Sequence, residues 1–257
     1  MSNKVKLVLI DLSGTLHVEN TAIPGAVEAI KRLRNSHVTL KFVTNTSKES
    51  KHVLHNRLIK LGFDIKMDEI FSSLVAAKHI IRHYKINPLL IIDNAALEEF
   101  DNLVDFTSPF NAVVIGLAPD KLNYENLNNA FRLLLNGARL IAIHEARYYK
   151  SVDGLSLGPG AFIKGLEYSA NVKAEVIGKP TSEFFKAALE GISPEDAIMI
   201  GDDINDDIAG AQLIGIKGFL VETGKYCLGD ENLIEPFPTK VCNSITHAVD
   251  IILKDYI

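Results

Sequence analysis

The 257-residue chain contains no tryptophan and only two cysteines, Cys227 and Cys242. Two cysteines make neither a disulfide framework nor a cysteine-rich metal cluster. The chain also lacks any apolar stretch near the roughly 20 residues that a bilayer-spanning helix needs. The apolar run that ends at Asp11 is too short for a signal peptide. We therefore predict a cytoplasmic protein that makes no membrane contact.

The chain also has no excess of basic residues. It contains 27 Lys and Arg but 32 Asp and Glu, which gives a formal net charge of −5. Nucleic-acid-binding domains usually carry a basic patch, so we predict no nucleic-acid partner. A small phosphorylated substrate remains compatible with this charge, because it needs positive charge only locally. The composition, 47% hydrophobic and 23% charged, is that of a globular protein, and the length predicts about one or two domains.

Short apolar runs alternate with helix-like segments towards both ends of the chain. The predicted strands are Val5–Ile10, Thr39–Val43, Ala174–Ile177, Ala197–Ile200 and Gly218–Val221. The predicted helices are Ile23–Leu33, Ser47–Leu61, Glu183–Glu190 and Asp206–Leu213. Such alternation predicts βαβ units, and hence an α/β fold with a Rossmann-like, doubly wound parallel sheet.

The middle of the chain shows an alternation of its own. Its predicted strands are Pro88–Ile92, Ala112–Ile115 and Leu140–Ile143. Its predicted helices are Asn123–Asn136 and Phe162–Ser169, and residues 154–160 are rich in turn formers. We interpret residues 79–177 as a smaller α/β cap domain, inserted into a core made of residues 1–78 and 178–257.

Polar side chains stand where four of the predicted strands end. They are Asp11 after the first strand, Thr44 and Asn45 after the second, Lys179 after the strand at Ala174, and Asp202, Asp203 and Asp207 after the strand at Ala197. In an open parallel sheet, ligands bind beyond the carboxyl ends of the strands. The sequence therefore predicts that carboxylates, a hydroxyl with an amide, and an ammonium meet at one rim.

These residue types suit phosphoryl transfer. Phosphate and carboxylate repel each other, so a hard cation must lie between them, and Mg²⁺ prefers oxygen ligands such as one or two carboxylates plus water. Asp11 and Asp202 can supply those carboxylates, while the Lys179 ammonium can stabilise charge on the transferring group. Gly14 permits a sharp turn after Asp11, so that backbone amides can face the phosphate. A carboxylate nucleophile would form an aspartyl-phosphate.

Each motif has a simpler interpretation when it is taken alone. An Asp after a strand is usually a turn or cap residue, and the segment from Asp202 to Asp207 could merely cap the following helix. The joint occurrence of the motifs at strand ends favours the functional interpretation. His79 and His83 are spaced as zinc ligands can be, but they lack the Glu of an HExxH motif. We therefore predict that they are surface histidines.

Four motifs together resemble the haloacid dehalogenase superfamily of phosphatases: Asp11-Leu12-Ser13-Gly14-Thr15, Thr44-Asn45, Lys179 in Gly-Lys-Pro, and Gly201-Asp202-Asp203 with Asp207. The resemblance covers nearly the whole chain, and the insert is similar to the cap of the p-nitrophenyl-phosphatase-like branch. It implies a catalytic set of Asp11, Ser13 and Lys179. It also implies that Mg²⁺ is bound by Asp11, Asp202 and the Ser13 carbonyl, supported by Asp203 and Asp207. The phosphate would be held by Asp11, Leu12, Ser13, Thr44, Asn45 and Lys179.

Ser13 departs from the pattern of this superfamily. Most of its phosphatases have an Asp there, which protonates the leaving group and later activates water. Serine cannot serve as that acid near neutral pH, and general acid–base help is typically worth ~10²–10⁴-fold. We therefore expect substrates with good leaving groups, such as phosphoramidates, pyrophosphate, acyl phosphates or aryl phosphates. The expected partner is a small phosphorylated substrate or a phosphoamino acid.

Two other functions stay open at this point. A protein that binds phosphate without useful turnover would also explain Ser13. Dehalogenation by the same nucleophile is disfavoured, because it does not need the clustered magnesium carboxylates. In the insert, Tyr148, Tyr149 and Lys150 either select the substrate or simply pack the cap. The resemblance also implies a homodimer formed through the cap.

Overall fold

The computed structural model describes residues 4–151 and 154–257, and the chain divides into two compact units. The first unit comprises the described part of Met1–Thr44, together with Leu54–Phe71 and Lys179–Ile257. The second unit comprises Asn45–Val53 and the described part of Ser72–Gly178. The second unit thus begins earlier than the predicted insert at residue 79, and it includes a segment at 45–53 that we expected in the core.

In chain order, the strands are β1 (Leu7–Asp11), β2 (His17–Val18), β3 (Thr21–Ala22), β4 (Thr39–Thr44), β5 (Ile70–Ser72), β6 (Pro88–Ile91), β7 (Ala112–Ile115), β8 (Arg139–Ala142), β9 (Tyr148–Ser151), β10 (Gly154–Leu157), β11 (Glu175–Val176), β12 (Ala197–Gly201), β13 (Lys217–Val221) and β14 (Lys240–Cys242). The α-helices are α1 (Ala26–Asn35), α2 (Lys51–Lys60), α3 (Ser73–His83), α4 (Tyr124–Leu135), α5 (Gly160–Ala170), α6 (Ser182–Leu189), α7 (Gly210–Gln212) and α8 (Ile245–Asp255). Short 3₁₀ helices lie at Met67–Glu69, Asn94–Phe100, Pro194–Asp196 and Asp230–Asn232, and a π-helical segment lies at Ile204–Ala209.

A six-stranded sheet forms the centre of the first unit, in the order β14-β13-β12-β1-β4-β5. Strand β1 pairs in parallel with both β12 and β4. All five residues of β1 are buried, which explains why it is almost continuously apolar, since a central parallel strand is covered on both faces. Helix α1 buries Ala26, Ala29, Ile30 and Leu33, the spacing of a helix that presents one apolar stripe to a sheet.

Both faces of this sheet are covered, as a doubly wound fold requires. On one face, α1 and α8 pack on a core that includes Phe42, Ile200 and Phe219. On the other face, Ile204 and Ile208 pack on Leu220, whose side chain points away from that of Phe219 because side chains alternate along a strand. The predicted α/β class and its Rossmann-like sheet are therefore confirmed.

The second unit has a parallel sheet of its own, in the order β11-β8-β7-β6. One face carries Val114 and Ile141 against α3, and the other carries Val113 and Leu140 against α4 and α5. Strands β9 and β10 form a separate antiparallel pair. The predicted smaller α/β cap is thus present as a unit with its own core.

Several predicted elements differ from the structure. The strand predicted at Ala174–Ile177 was grouped with the core strands, although it also lies within the predicted insert of residues 79–177, and β11 pairs with β8 in the second unit. The helix expected from Ser47 begins only at Lys51, and the Ser50 hydroxyl accepts the Val53 amide at 3.2 Å, as N-cap residues do. The stretch at 154–160 was expected to be turns, but its first four residues form β10.

The helix predicted at Asp206–Leu213 also starts earlier than expected. It begins as a π-helical segment at Ile204 and continues as α7 to Gln212. The Asp203 carboxylate accepts the amides of Asn205 and Asp206, each at 3.0 Å. These two bonds satisfy amides that a helix start leaves without partners. Across the described residues, no helix combines the length and the apolar character that crossing a bilayer requires.

Candidate active site

The strand register brings the predicted polar residues to one edge of the main sheet. Asp11, at the end of β1, pairs with Val43 of β4, so Thr44 lies one residue further along the same edge. Ile10 pairs with Ile200 of β12, so Asp202 also lies just beyond the strand end. Since parallel strands end at the same edge, three separate strands deliver their polar residues together.

Lys179 completes this group, although no strand of the main sheet carries it. The chain leaves β11 in the second unit and re-enters the first unit at Lys179. Its ammonium lies 2.6 Å from Asp11 Oδ1 and 2.5 Å from Asp207 Oδ1. The carboxylates of Asp11, Asp202 and Asp207 have oxygens that all lie within 4.8 Å of one another. The structure therefore brings Asp11, Asp202 and Lys179 together, and the roles expected for them stay predictions.

All of these charges are buried, with Lys179 only 3% exposed and Asp202 only 2% exposed. A buried charge is tolerated only when it is paired. Burial by itself lowers the pKa of Lys179, but Asp11 and Asp207 outweigh it and raise that pKa, so the side chain stays an ammonium. Burial, reinforced by the negative charge of Asp11, raises the pKa of Asp202 to about 7. The cluster is thus short of positive charge around Asp202.

A second lysine, Lys225, was not predicted from the sequence. It follows β13, and its ammonium lies 3.1 Å from Asp203 Oδ2. Its backbone amide donates to Asp202 Oδ2 at 2.7 Å. A signal was available, because Lys225 stands just beyond a predicted strand, as Asp11 and Asp202 do. Asp203 therefore contacts Lys225 and caps the start of the π-helical segment, and the supporting role expected for it stays a prediction.

Two glycines hold Asp202 between them. A Cβ atom on Gly14 would lie 2.1 Å from Asp202 Oδ2, and a Cβ atom on Gly224 would also lie 2.1 Å from it. Both glycines have positive φ angles, +95° and +60°, which other residues adopt only at a cost. The Thr223 hydroxyl donates to the Gly14 carbonyl at 2.6 Å. The loop after β13 is therefore fastened to the loop after β1, with the Asp202 carboxylate enclosed between them.

The loop after Asp11 is a tight turn. The Leu12 carbonyl accepts the amides of Thr15, Leu16 and His17 at 3.3, 2.8 and 3.2 Å. Leu12 is buried, whereas Ser13 is exposed. The Ser13 side chain cannot serve as a general acid near neutral pH, because a hydroxyl does not give up its proton as a carboxylic acid does. The roles expected for the Leu12 and Ser13 backbones stay predictions.

The two residues expected to bind phosphate at the end of β4 fall into different units. Thr44 is buried and ends β4 in the first unit, whereas Asn45 belongs to the second unit. Asp207 is also buried, and its Oδ2 accepts the Asp203 amide at 3.2 Å while its Oδ1 faces Lys179. Both of its oxygens are therefore engaged by the protein, which suits the supporting role expected for Asp207.

Other residues singled out in the sequence lie elsewhere. His79 and His83 are exposed on α3, and the Asp11, Asp202 and Asp207 group is the metal-ligand cluster found within the described residues. In the second unit, Tyr149 lies on β9 with the Lys48 ammonium 3.9 Å from the centre of its ring. Tyr148 is 43% exposed on the same strand. No side-chain placement is described for Lys150.

Comparisons with known proteins agree with this geometry. A family model described as haloacid dehalogenase-like hydrolase matches residues 8–107, and one described as HAD-hydrolase-like matches residues 176–248. Human haloacid dehalogenase-like hydrolase domain-containing protein 2 is 56% identical over 97% of this chain and 96% of that protein. The chain belongs to the haloacid dehalogenase-like hydrolase family.

Its similar proteins include phosphatases. Human phospholysine phosphohistidine inorganic pyrophosphate phosphatase is 40% identical over 97% of this chain and 95% of that protein. The solved p-nitrophenyl phosphatase from Archaeoglobus fulgidus has a TM-score of 0.88 and 28% identity, covering 96% of this chain and 99% of that one. The protein is accordingly a phosphatase of the haloacid dehalogenase type, as the sequence motifs predicted.

The enclosure of Asp202 gives a matched pair of variants. In Gly224→Ala, the new methyl group would displace the Asp202 carboxylate, so we expect phosphatase activity to fall at least about tenfold. Gly229 also has a positive φ, +99°, but nothing lies within 4 Å of its Cβ position. Gly229→Ala should therefore cost only about 1 kcal/mol of stability. Phosphate release and thermal unfolding measure the two effects, and equal activity of the two variants would contradict the enclosure.

Proposed function

We propose that this enzyme is a Mg²⁺-dependent phosphohydrolase in which the Asp11 carboxylate attacks phosphorus and forms an aspartyl-phosphate. The observation that carries the proposal is the contact between the Asp11 carboxylate and the Lys179 ammonium at 2.6 Å, beside the carboxylate of Asp202. A nucleophile needs positive charge around it to approach an anionic phosphate. Lys179 supplies one such charge. The carboxylates of Asp11 and Asp202 supply ligands for a divalent cation, which would add a second.

The residues around Asp11 fit a hard divalent cation. Four carboxylates, of Asp11, Asp202, Asp203 and Asp207, face two ammonium groups, of Lys179 and Lys225. Two negative charges therefore lack a counterpart in the cluster when all its groups are ionised. Within the described residues, Asp11 Oδ2 and Asp202 Oδ1 accept no hydrogen bond. Mg²⁺ favours such carboxylate oxygens, and Asp11, Asp202 and the Ser13 carbonyl would hold it.

The reaction would proceed in two displacements at phosphorus. In the first, an Asp11 oxygen forms a bond to phosphorus, and the bond to the leaving group breaks with its electron pair. In the second, water attacks phosphorus, the bond to Asp11 breaks, and inorganic phosphate leaves. Lys179 stabilises the negative charge on the phosphoryl oxygens, and Thr44 and Asn45 donate hydrogen bonds to them. When bound, Mg²⁺ would neutralise charge between the phosphate and the carboxylates.

Ser13 supports a choice of substrate class. Because an exposed serine stands where an acid would assist the leaving group, compounds whose leaving group needs no protonation by a carboxylic acid should react best. Phosphoramidates, pyrophosphate, and acyl and aryl phosphates meet that condition. The 40% identity to a protein named for phospholysine, phosphohistidine and pyrophosphate supports this class. A protein that binds phosphate without useful turnover is the alternative that Ser13 also favours.

The role of Asp11 is tested by Asp11→Asn. This change keeps the shape of the side chain but removes the nucleophilic charge, so we expect phosphate release to fall at least about a thousandfold. Asp250→Asn is the control, since Asp250 is 53% exposed and pairs with Arg32 at the surface. Activity should also vanish with a chelator and return with added Mg²⁺. Binding of inorganic phosphate by the wild type with no turnover of any substrate would favour the non-catalytic alternative.

Ser13→Asp tests the account of substrate choice. The new carboxylic acid would protonate a poor leaving group, so we expect turnover of alkyl phosphates, such as sugar phosphates, to rise about tenfold or more. Turnover of phosphoramidate and p-nitrophenyl phosphate should change much less. Phosphate release across this panel measures both effects. A wild-type enzyme that prefers sugar phosphates, or a variant that gains nothing on them, would defeat the explanation.

A further inference from the structure

The segment that follows Thr44 is part of the second unit. Residues 45–53, which include the first three residues of α2, belong to that unit, although β4 before them and the rest of α2 after them belong to the first. The segment is fastened at several points: the Ser50 amide donates to the Ala95 carbonyl at 3.0 Å, and the Lys51 amide donates to Glu99 Oε1 at 2.7 Å. The chain beyond Thr44 therefore has attachments within the second unit.

Ser47 makes a further attachment, which is buried. Its hydroxyl lies 3.0 Å from His144 Nε2 and accepts the Leu117 amide at 3.0 Å. Ser47 is 1% exposed and His144 is 5% exposed. Leu117 and His144 each stand two residues beyond a strand, β7 and β8. Ser47 therefore sits across the ends of two neighbouring strands of the second sheet. Gly116 lies between β7 and Leu117, and a Cβ atom added to it would lie 3.2 Å from the Ser47 side chain.

The segment that leads to Lys179 is held at the same strand end. The Gly178 amide donates to the carbonyl of Ile143 at 2.9 Å, and Ile143 directly precedes His144. A Cβ atom on Gly178 would lie 2.3 Å from Asn45 Oδ1, so the two segments run side by side. Consecutive residues after β8 therefore hold both the chain that follows Thr44 and the chain that precedes Lys179.

We propose that Ser47 is a positioning residue for phosphate binding, acting through its bonds to His144 and the Leu117 amide. It sets the spacing between the segment that begins after Thr44 and the segment that ends before Lys179. The inference rests on the proposed function, in which Thr44, Asn45 and Lys179 hold the transferring phosphate. A side chain at position 47 that cannot bond to His144 leaves Asn45 and the start of the segment less well fixed, and phosphate binding weakens.

Ser47→Ala tests the inference against a matched serine. Ser73 is also buried in the second unit and lies beside Gly178, but its hydroxyl has no hydrogen-bond partner among the described residues. Ser47→Ala should raise the Kd for inorganic phosphate about 3- to 10-fold, the effect of roughly one lost net hydrogen bond. The KM for p-nitrophenyl phosphate should rise in parallel, with kcat changed less than twofold. Ser73→Ala should leave all three unchanged.

A second pair covers the case in which Ser47→Ala fails to fold. His144→Gln keeps a polar amide near the position of Nε2, whereas His144→Phe removes it. We expect His144→Phe to raise the Kd for phosphate as Ser47→Ala does, and His144→Gln to recover most of the wild-type value. An unchanged Kd in Ser47→Ala and His144→Phe, or an equal rise in Ser73→Ala, would overturn the inference. Calorimetry with inorganic phosphate and Mg²⁺ measures binding without turnover. A wild type that binds inorganic phosphate but hydrolyses no phosphorylated substrate would therefore contradict the proposed function and leave the inference on Ser47 standing.

Discussion

The buried contact of the Lys179 ammonium with Asp11 and Asp207 is the constraint on which the site depends. An ammonium that is 3% exposed would lose its proton or destabilise the fold without those carboxylates, because desolvation disfavours the charged form. The two carboxylates in turn need Lys179, since their oxygens lie within 4.8 Å of those of Asp202. The parallel sheet makes the arrangement possible by ending β1, β4 and β12 at one edge.

The pairing of Lys179 with Asp11 and Asp207 leaves the cluster negative around Asp202. This excess of negative charge favours the binding of a cation. Lys225 offsets part of it through Asp203, and its backbone amide fixes one Asp202 oxygen. The glycines at 14 and 224 leave room for that carboxylate, because a Cβ atom on either would overlap it. A site that is buried, closely packed and short of positive charge is suited to bind a divalent cation together with a phosphate.

Much of this site was readable from the sequence, and the remainder was not for physical reasons. Asp11, Thr44 and Asp202 were predictable because apolar strand patterns place their ends at one edge. The strand at Ala174–Ile177 was grouped with the core strands although it lies within the predicted insert, because a buried parallel strand has the same pattern in either unit. The enclosure of Asp202 by Gly14 and Gly224 depends on tertiary contact between two loops far apart in the chain. The bond between Ser47 and His144 spans 97 residues, and no local pattern signals it.

The proposal for Ser47 concerns the segment that follows Thr44, which belongs to the second unit. The central claim, however, concerns Asp11 itself. Its most direct test is a crystal structure of the wild-type enzyme with Mg²⁺ and beryllofluoride, which mimics a phosphoryl group on a carboxylate. The account predicts a bond from the Asp11 carboxylate to beryllium, with Lys179 beside the fluorides and Mg²⁺ on Asp11 and Asp202. Beryllofluoride on another residue, or none on Asp11 at saturating Mg²⁺, would contradict it.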